Sequence, residues 1–267
     1  MVTIREKQSR SLIALALVAI ATVTPQHATA GPIEWSDGFE TYSAGRFPGA
    51  NWTNSGNTQV SVTDSTRESG AKSLFLYGLI GQNWAALAHR KFTPAASHRF
   101  GFSVKNGAER LSGVHQEYGA FNLNTGPTWT TPGRSLILFG QDGNIHAGQT
   151  GVGELSGPIL GQFTAGTWYD VQVEYIIESL RTVSLSYWIN GSFDGTYKYA
   201  ALANESSLSY AGLVSGAGSA WFDNVSVASV SSVPEPGTLA LAVVCITGIL
   251  VQRRVPTAKA LTSPRCS

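Results

Sequence analysis

The feature that most constrains the fold is a series of short runs rich in β-branched and aromatic residues, interrupted by Gly, Asn, Asp, Ser or Pro about every ten residues. No amphipathic helix of convincing length breaks this pattern. The runs predict strands at residues 60–63, 73–79, 85–92, 99–104, 118–123, 135–141, 144–147, 168–177, 182–189 and 192–199.

Two dipeptides predict tight hairpin turns between these strands. Asp142-Gly143 and Asn190-Gly191 both tolerate the positive φ that such turns require. Many strands with hairpins and no crossover helices predict an all-β fold, an antiparallel two-sheet jelly-roll sandwich. Trp168, Trp188 and Trp221 lie in strand patterns, and we expect them in its core.

Several short motifs, in order along the chain, carry a family resemblance. They are Asp37-Gly38-Phe39-Glu40, Ser69-Gly70-Ala71-Lys72-Ser73-Leu74, Gly166-Thr167-Trp168-Tyr169, Tyr187-Trp188-Ile189-Asn190-Gly191 and Trp221-Phe222-Asp223-Asn224-Val225. Together they resemble the concanavalin A-like lectin/glucanase superfamily, near its LamG-like branch. The first and last motifs also occur in galactose-binding-type modules, another jelly roll. The resemblance implies a fold shared by lectins, glycosidases, lyases and adhesion modules, so function has to be argued from a site.

The N-terminus has the three parts of a signal peptide. Arg5, Lys7 and Arg10 form a basic region, residues 12–23 are apolar, and Ala28 and Ala30 are the small residues that a signal peptidase reads. We therefore expect residues 1–30 to be a signal peptide and residues 31–232 to form the exported jelly-roll domain.

The C-terminal region combines a breaker, an apolar run and a basic stop. Pro234, Glu235 and Pro236 cannot continue a strand or helix. Residues 238–251 carry no charge, and as a helix they would extend about 20 Å, short of the roughly 30 Å hydrocarbon core. Arg253 and Arg254 then predict that residues 255–267 form a basic cytoplasmic tail and that the domain lies outside.

This tripartite segment, residues 233–254, resembles the PEP-CTERM sorting signal of Gram-negative bacteria. The resemblance implies a single transmembrane sorting helix at about 238–251 and cleavage near Pro-Glu-Pro by an exosortase-type enzyme. An ordinary single-pass anchor is the alternative. The sorting signal implies that the protein is first anchored in the inner membrane, with its domain outside, and is then moved to the cell surface or extracellular matrix.

Charge and cysteine content narrow the classes of partner. Residues 31–232 carry 11 basic and 15 acidic side chains, a net charge of −4, and no cysteine. A net negative domain is a poor partner for nucleic acid or anionic lipid, whereas neutral polymers become more plausible. Without cysteine, the domain has neither disulfides nor thiolate metal sites.

The sequence offers no familiar catalytic motif. The Glu-x-Asp-x-Glu triplet of the superfamily's retaining glucanases is absent, and Glu174 and Glu178 are interpreted as solvated strand-edge residues. His89, His98, His115 and His146 occur singly, as surface or hydrogen-bonded strand residues rather than ligands. We therefore expect no catalytic residues, no enzymatic activity and no cofactor.

Aromatic residues in polar loops favour carbohydrate binding, because sugar C–H faces pack on rings and hydroxyls pair with amides. Trp84 and Trp129 fit this description, with Gln116, Asn122 and Asn124 as polar neighbours, although both tryptophans could instead cap the core. By resemblance to related jelly rolls, Glu40, Asp223 and Asp37 are candidates for structural calcium.

Three functions stay open at this point. The favoured one is a non-catalytic protein of the matrix or biofilm that binds polysaccharide or a matrix protein. The second is a polysaccharide-degrading glycosidase or lyase with an unrecognised site. A purely structural or adhesion spacer is the third.

Overall fold

The computed structural model describes residues 30–56, 59–78, 86–109, 117–128, 133–150, 157–216 and 218–230. The predicted signal peptide, the sorting segment with its transmembrane helix and the tail lie outside these residues, as do Trp84, Trp129, Gln116 and His115. In the described ranges we find no helix that is long and apolar enough to cross a membrane.

The described residues form strands and one short 3-10 helix. The strands are β1 (Ala30–Asp37), β2 (Trp52–Asn54), β3 (Val60–Thr63), β4 (Ser73–Gly78), β5 (Ala86–Lys91), β6 (Ser97–Asn106), β7 (Glu117–Asn124), β8 (Arg134–Gly140), β9 (Asn144–Thr150), β10 (Ile159–Gln162), β11 (Trp168–Ser179), β12 (Thr182–Ile189), β13 (Ser192–Ala200), β14 (Tyr210–Ser215) and β15 (Gly218–Val230), and the 3-10 helix is Glu205–Ser207.

The strands build two antiparallel sheets. One has eight strands in the order β13-β12-β11-β6-β15-β4-β3, with β1 paired to the far part of β15. The other has seven, in the order β10-β9-β8-β7-β14-β5-β2. The predicted all-β antiparallel two-sheet sandwich is therefore confirmed, and it fits a jelly roll.

Alternation along the strands places one row of side chains from each sheet in the shared core. Phe102 of the eight-stranded sheet stacks on Phe121 of the seven-stranded sheet at a centroid distance of 4.9 Å. Phe100 also contacts Phe121, at 5.5 Å. Burying such rings contributes strongly to the hydrophobic free energy of a sandwich, since each removes about 150–250 Å² from water.

The two predicted hairpin turns are present. Gly143 has φ +83° between β8 and β9, while Asn190 and Gly191 have φ +50° and +78° between β12 and β13. Positive φ at both central residues is the geometry that Asn-Gly favours in a two-residue hairpin.

The prediction that Trp168, Trp188 and Trp221 lie in the core was wrong. All three are half-buried on the outer face of the eight-stranded sheet. Their immediate neighbours Tyr187 and Phe222 are fully buried instead, because successive side chains of a strand point to opposite faces. An aromatic residue next to a buried aromatic residue therefore faces outward.

Glu174 also departs from the prediction of a solvated edge residue. It lies on β11, which pairs with strands on both sides, and it is only 8% exposed. Its Oε2 accepts a hydrogen bond from Arg99 Nη2 at 2.9 Å, and this ion pair offsets its desolvation. Glu178 is more exposed and pairs with Lys198 at 2.8 Å.

A buried ion pair links the two sheets near the 3-10 helix. Arg134 of β8 is fully buried and donates to both carboxylate oxygens of Glu205, at 2.6 and 2.8 Å. Tyr175 of β11 donates its hydroxyl to Glu205 Oε1 at 2.9 Å. One carboxylate thus connects a strand from each sheet.

Candidate functional site

The outer face of the seven-stranded sheet carries polar side chains that are buried. In β5, β7 and β14 the core side receives Ala88, Phe121 and Leu213. The alternate positions on the outer face include His89 and Asn122, which are 0% and 1% exposed. Buried polar groups are costly unless they are hydrogen-bonded, so this face requires a specific explanation.

Strand pairing sets the positions of these side chains. Gly212 of β14 pairs with His89 on one side and Asn122 on the other. Two residues away, Tyr210 pairs with Lys91 and Asn124 in the same manner. We call the five side chains of these two adjacent rows, Lys91, His89, Tyr210, Asn122 and Asn124, the His89 cluster.

Gly212 makes room for the imidazole. A Cβ atom at this position would come within 2.9 Å of both Cδ2 and Nε2 of His89. Real Cβ atoms do not approach ring atoms so closely, so the ring lies against the glycine backbone because no side chain stands there.

Two hydrogen bonds set the tautomer of His89. The Asn124 side-chain nitrogen lies 3.2 Å from Nε2, and Ser55 Oγ lies 2.9 Å from Nδ1. An amide nitrogen can only donate, so Nε2 accepts and Nδ1 carries the hydrogen. Burial lowers the pKa of His89 to about 4, so the imidazole is neutral near pH 7.

Asn122 has an unmet hydrogen-bonding requirement. Its Oδ1 is buried and has no hydrogen-bond partner among the described residues. An unsatisfied buried acceptor costs about 1–3 kcal/mol. A hydroxyl group of a bound ligand is the kind of donor that would satisfy it.

The structure brings together two of the predicted binding residues, Asn122 and Asn124. The segments that carry Trp84 and Trp129 are outside the described residues, but the strands next to them in the sequence are described. Residues 79–85 lead into the start of β5, whereas residues 129–132 join the end of β7 to β8. These points lie at opposite ends of the sheet, since Ser215 pairs with Ala86 and Tyr210 with Asn124.

Two further histidines, His98 and His146, make hydrogen bonds, as the sequence predicts for strand residues. His98 Nε2 accepts from the Ala95 backbone at 3.0 Å. His146 lies on β9 with Nε2 2.9 Å from Asp142 Oδ2. His115 lies outside the described residues, and neither His98 nor His146 belongs to the His89 cluster.

The three carboxylates predicted to hold calcium are engaged elsewhere. Asp37 Oδ2 accepts from Arg90, Trp52 and Tyr42, each at 2.8 Å. A cation at this oxygen would have to displace a guanidinium and two aromatic donors. The surroundings of Asp37 therefore do not fit a hard cation.

Glu40 and Asp223 accept backbone hydrogen bonds. Glu40 Oε1 receives the N–H groups of Ala71 and Lys72, which lower the pKa of Glu40. Asp223 Oδ2 receives those of Glu68 and Ser69, while burial raises its pKa. In the part of the chain that the structure describes, no group of three or more metal-binding side chains converges. The structure gives calcium no support, and the site stays an untested prediction.

Sequence reasoning missed His89, Lys91 and Tyr210 as site residues. Tyr210 and Gly212 belong to a strand that the pattern did not predict. One signal was available, because the alternation of Leu87, His89 and Lys91 in β5 places two polar side chains on one face. Alternation within β5 does not, however, indicate which strands lie beside β5 in the sheet.

No family model matches this chain, and no curated protein matches it either. Solved structures do. Cellulose induced protein, Cip1, is 15% identical, with 73% of this chain and 96% of that chain covered and a TM-score of 0.50. The endo-β-1,4-glucuronan lyase of the fungus Trichoderma reesei is 12% identical over 77% and 96%, with a TM-score of 0.44. The alginate lyase of Aplysia kurodai is 13% identical over 76% and 100%, at 0.47.

The similarity to Cip1 supports the jelly-roll fold, and the comparisons also correct one prediction. The expectation that the chain is not an enzyme is overturned, because structures named as polysaccharide lyases occur among the proteins that it resembles. The reasoning failed because the missing Glu-x-Asp-x-Glu triplet excludes one kind of glycosidase and leaves chemistry without paired carboxylates open.

Proposed function

We propose that this chain is an exported polysaccharide lyase that cleaves uronate-containing polymers at the His89 cluster. The observation that carries the proposal is a neutral imidazole whose Nε2 is held as an acceptor by Asn124. On the same sheet face lie a cation, Lys91, and a phenol, Tyr210. A base, an acid and a cation are what β-elimination requires.

The elimination balances with these groups. Substrate first displaces the Asn124 amide from the single lone pair of His89 Nε2. The freed Nε2 then takes the proton from C5 of the uronate, the C5–H electron pair forms the C4–C5 double bond, and the C4–O4 bond breaks with its electron pair leaving on O4. Tyr210 gives its proton to the departing O4. Solvent then returns a proton to Tyr210 and removes one from His89. Because His89 is fully buried, the surface above it has to open for substrate to enter.

The domain carries a net negative charge, but Lys91 places a positive charge on the same sheet face as His89. Pairing its ammonium with the uronate carboxylate would withdraw charge and make the C5 proton easier to remove. The side chain is exposed, so it can reach an incoming polymer. A domain with a net negative charge can thus bind an acidic substrate locally, through the Lys91 side chain.

Hydrolysis is less well supported at this face. Glycosidases generally use two carboxyl groups roughly 5–9.5 Å apart. Among the described side chains of this face, Asp142 is present but no pair of carboxylates is, and Asp142 pairs with His146. Elimination needs no such pair.

The test is to incubate the full chain with alginate and with glucuronan, and to follow the ultraviolet absorbance of unsaturated sugar ends. We expect absorbance to rise with the wild type and to rise at least about a hundredfold more slowly with His89→Gln. His98→Gln, a buried histidine outside the cluster, is the matched control and should retain activity. Absence of unsaturated ends with uronate polymers would rule the proposal out.

We also propose that the enzyme is exported and sorted to the cell surface or matrix. The support is the sequence alone: a signal peptide ending near Ala28 and Ala30, and Pro234, Glu235 and Pro236 followed by Arg253 and Arg254. Signal peptidase and an exosortase-type enzyme would be its processing partners. Mass spectrometry of the surface form should find a C-terminus near the Pro-Glu-Pro motif, whereas an intact residue 267 would indicate an ordinary anchor.

A further inference from the structure

The outer face of the eight-stranded sheet carries an aromatic row that crosses the strands. Trp221 of β15 pairs with Phe75 of β4 and with Lys105 of β6. Lys105 in turn pairs with Trp168 of β11. We call these four side chains, in the order Phe75, Trp221, Lys105 and Trp168, the tryptophan row.

All four members face outward. Their chain neighbours Leu74, Val104 and Phe222 are fully buried on the core side, so the row takes the opposite side of the pleat. Each member of the row is half-buried. The rings therefore present a face to solvent while their inner edges are fixed by packing.

Contacts within the row hold it rigid. The rings of Phe75 and Trp221 lie 5.2 Å apart, and Tyr77 stacks on Phe75 at 6.3 Å. The Lys105 ammonium lies 5.4 Å from the centre of a Trp221 ring. Rings ordered before a ligand arrives lose little conformational entropy on binding.

A groove continues the row at its Phe75 end. It has a volume of about 410 Å³ and is lined by Phe75, Trp221 and residues 44–45 and 61–65. That volume lies within the roughly 300–1,000 Å³ range of small-molecule sites. The row thus starts at the groove beside Phe75 and continues across the exposed outer face of the sheet to Trp168.

Spacing across the sheet suits a chain of sugars. Neighbouring strands lie about 4.8 Å apart, so Trp221 and Trp168, two strands apart, are separated by about 10 Å. This is close to the length of two sugar units in an extended chain. Stacking on C–H faces at both tryptophans would leave hydroxyls free to meet Lys105 between them.

Charge around the row selects an uncharged polymer. Asp64 is exposed beside the groove, and Asp170 is exposed in the adjacent outward row. Glu68 is also exposed nearby, and the charges of Asp170 and Asp223 contribute to raising its pKa after desolvation. Against these carboxylates stand Lys105 of the row and the exposed Arg46 and Arg67 beside the groove. The charges nearly balance, which gives a polyuronate no strong attraction and favours an uncharged polymer.

We propose that the tryptophan row is a second site that binds an uncharged polysaccharide laid across the strands. It lies on the opposite side of the sandwich from the His89 cluster, so it neither requires nor implies the elimination proposed there. Its role would be to hold the protein on a neutral matrix polymer.

The experiment is affinity electrophoresis of the full chain in gels that contain hydroxyethyl cellulose, soluble xylan or alginate. We expect retardation by a neutral polymer that depends on Trp221, whereas any retardation by alginate, held at the His89 cluster, should not depend on Trp221. Trp221→Ala should weaken retardation about tenfold, since it removes a ring on which a sugar C–H face would stack. Trp188→Ala, an outward tryptophan on β12 outside the row, is the matched control and should bind as the wild type does.

Additional variants guard against misfolding and separate the two proposals. Trp168→Ala and Lys105→Gln should each weaken retardation while the melting temperature stays near that of Trp188→Ala. His89→Gln should abolish elimination but retain binding to the neutral polymer. Failure of both neutral gels, retardation by alginate that Trp221→Ala abolishes, or a dimer in sedimentation that Trp221→Ala dissociates would each overturn the proposal.

Discussion

The two outer faces of this sandwich follow the same pleat and differ in what they expose. On the seven-stranded sheet, polar His89 and Asn122 are buried. On the eight-stranded sheet, Trp221 and Trp168 remain half-exposed. Enclosure keeps an imidazole neutral and strengthens electrostatic interactions, which suits bond cleavage. Exposed rings suit contact with a polymer, so the difference agrees with the two proposals, cleavage at the enclosed face and binding at the open one.

The buried ion pair between the sheets supports both faces, and removing one partner should have the largest effect on stability. Arg134→Met leaves the carboxylate of Glu205 buried without its cation. We expect a loss of about 3–5 kcal/mol in the free energy of unfolding, measured with urea. Lys198→Met breaks the more exposed pair with Glu178 and should cost about 0–1 kcal/mol. Equal costs would show that Arg134 is not a shared support.

Gly212→Ala should impair elimination at the His89 cluster and leave polymer binding at the tryptophan row intact. The new methyl group would enter the space of the His89 ring, and overpacking of this kind costs about 1–3 kcal/mol. Elimination should fall sharply while binding to hydroxyethyl cellulose or xylan is unchanged. Gly161→Ala is the control, since a Cβ there meets nothing within 4 Å. A fully active Gly212→Ala variant would contradict the placement of His89 at the reacting centre.

The pH dependence of stability tests the burial of His89. Its pKa is lowered from 6.5 to about 4, so between these values the unfolded chain holds a proton that the folded chain does not. Stability contributed by neutral His89 is therefore complete above about pH 6.5 and is lost as pH falls towards 4. Urea unfolding at pH 7 and pH 5 should show a smaller drop for His89→Gln than for the wild type. An identical drop would mean that the imidazole titrates normally.

Calcium should produce the smallest effect. Asp37 is bound to Arg90, and Glu40 and Asp223 accept backbone N–H groups, so the described residues do not arrange these three carboxylates around a cation. We expect calcium and chelator to leave the melting temperature of the full chain and its binding to neutral polymer unchanged. A rise of several degrees with calcium would restore the site predicted from the sequence.

Much of the fold could be predicted from the sequence because strand periodicity and turn chemistry are local. The Asn190-Gly191 hairpin and the flanking strands β12 and β13 follow directly from such signals. β14 was missed because Gly212 interrupts its apolar run. The same glycine leaves room for the His89 ring, so the residue that obscured the strand pattern also shapes the candidate site.

The site itself could not be predicted from local patterns. Asn122 and Asn124 were chosen as neighbours of Trp129 in the sequence, whereas the structure relates them to His89 across β14. Residues 89, 122 and 212 become neighbours only through the order of strands in the sheet. Trp168 and Trp221 were assigned to the core because their strand patterns gave periodicity without saying which side of the pleat faces inward.

The most direct test of the central claim is the mass of the oligosaccharides that the full chain releases from alginate or glucuronan. Elimination at the His89 cluster predicts products with unsaturated ends, each lighter by one water than the corresponding hydrolysis product, and almost none with His89→Gln. Products with hydrated ends, or equal release by the wild type and His89→Gln, would contradict it.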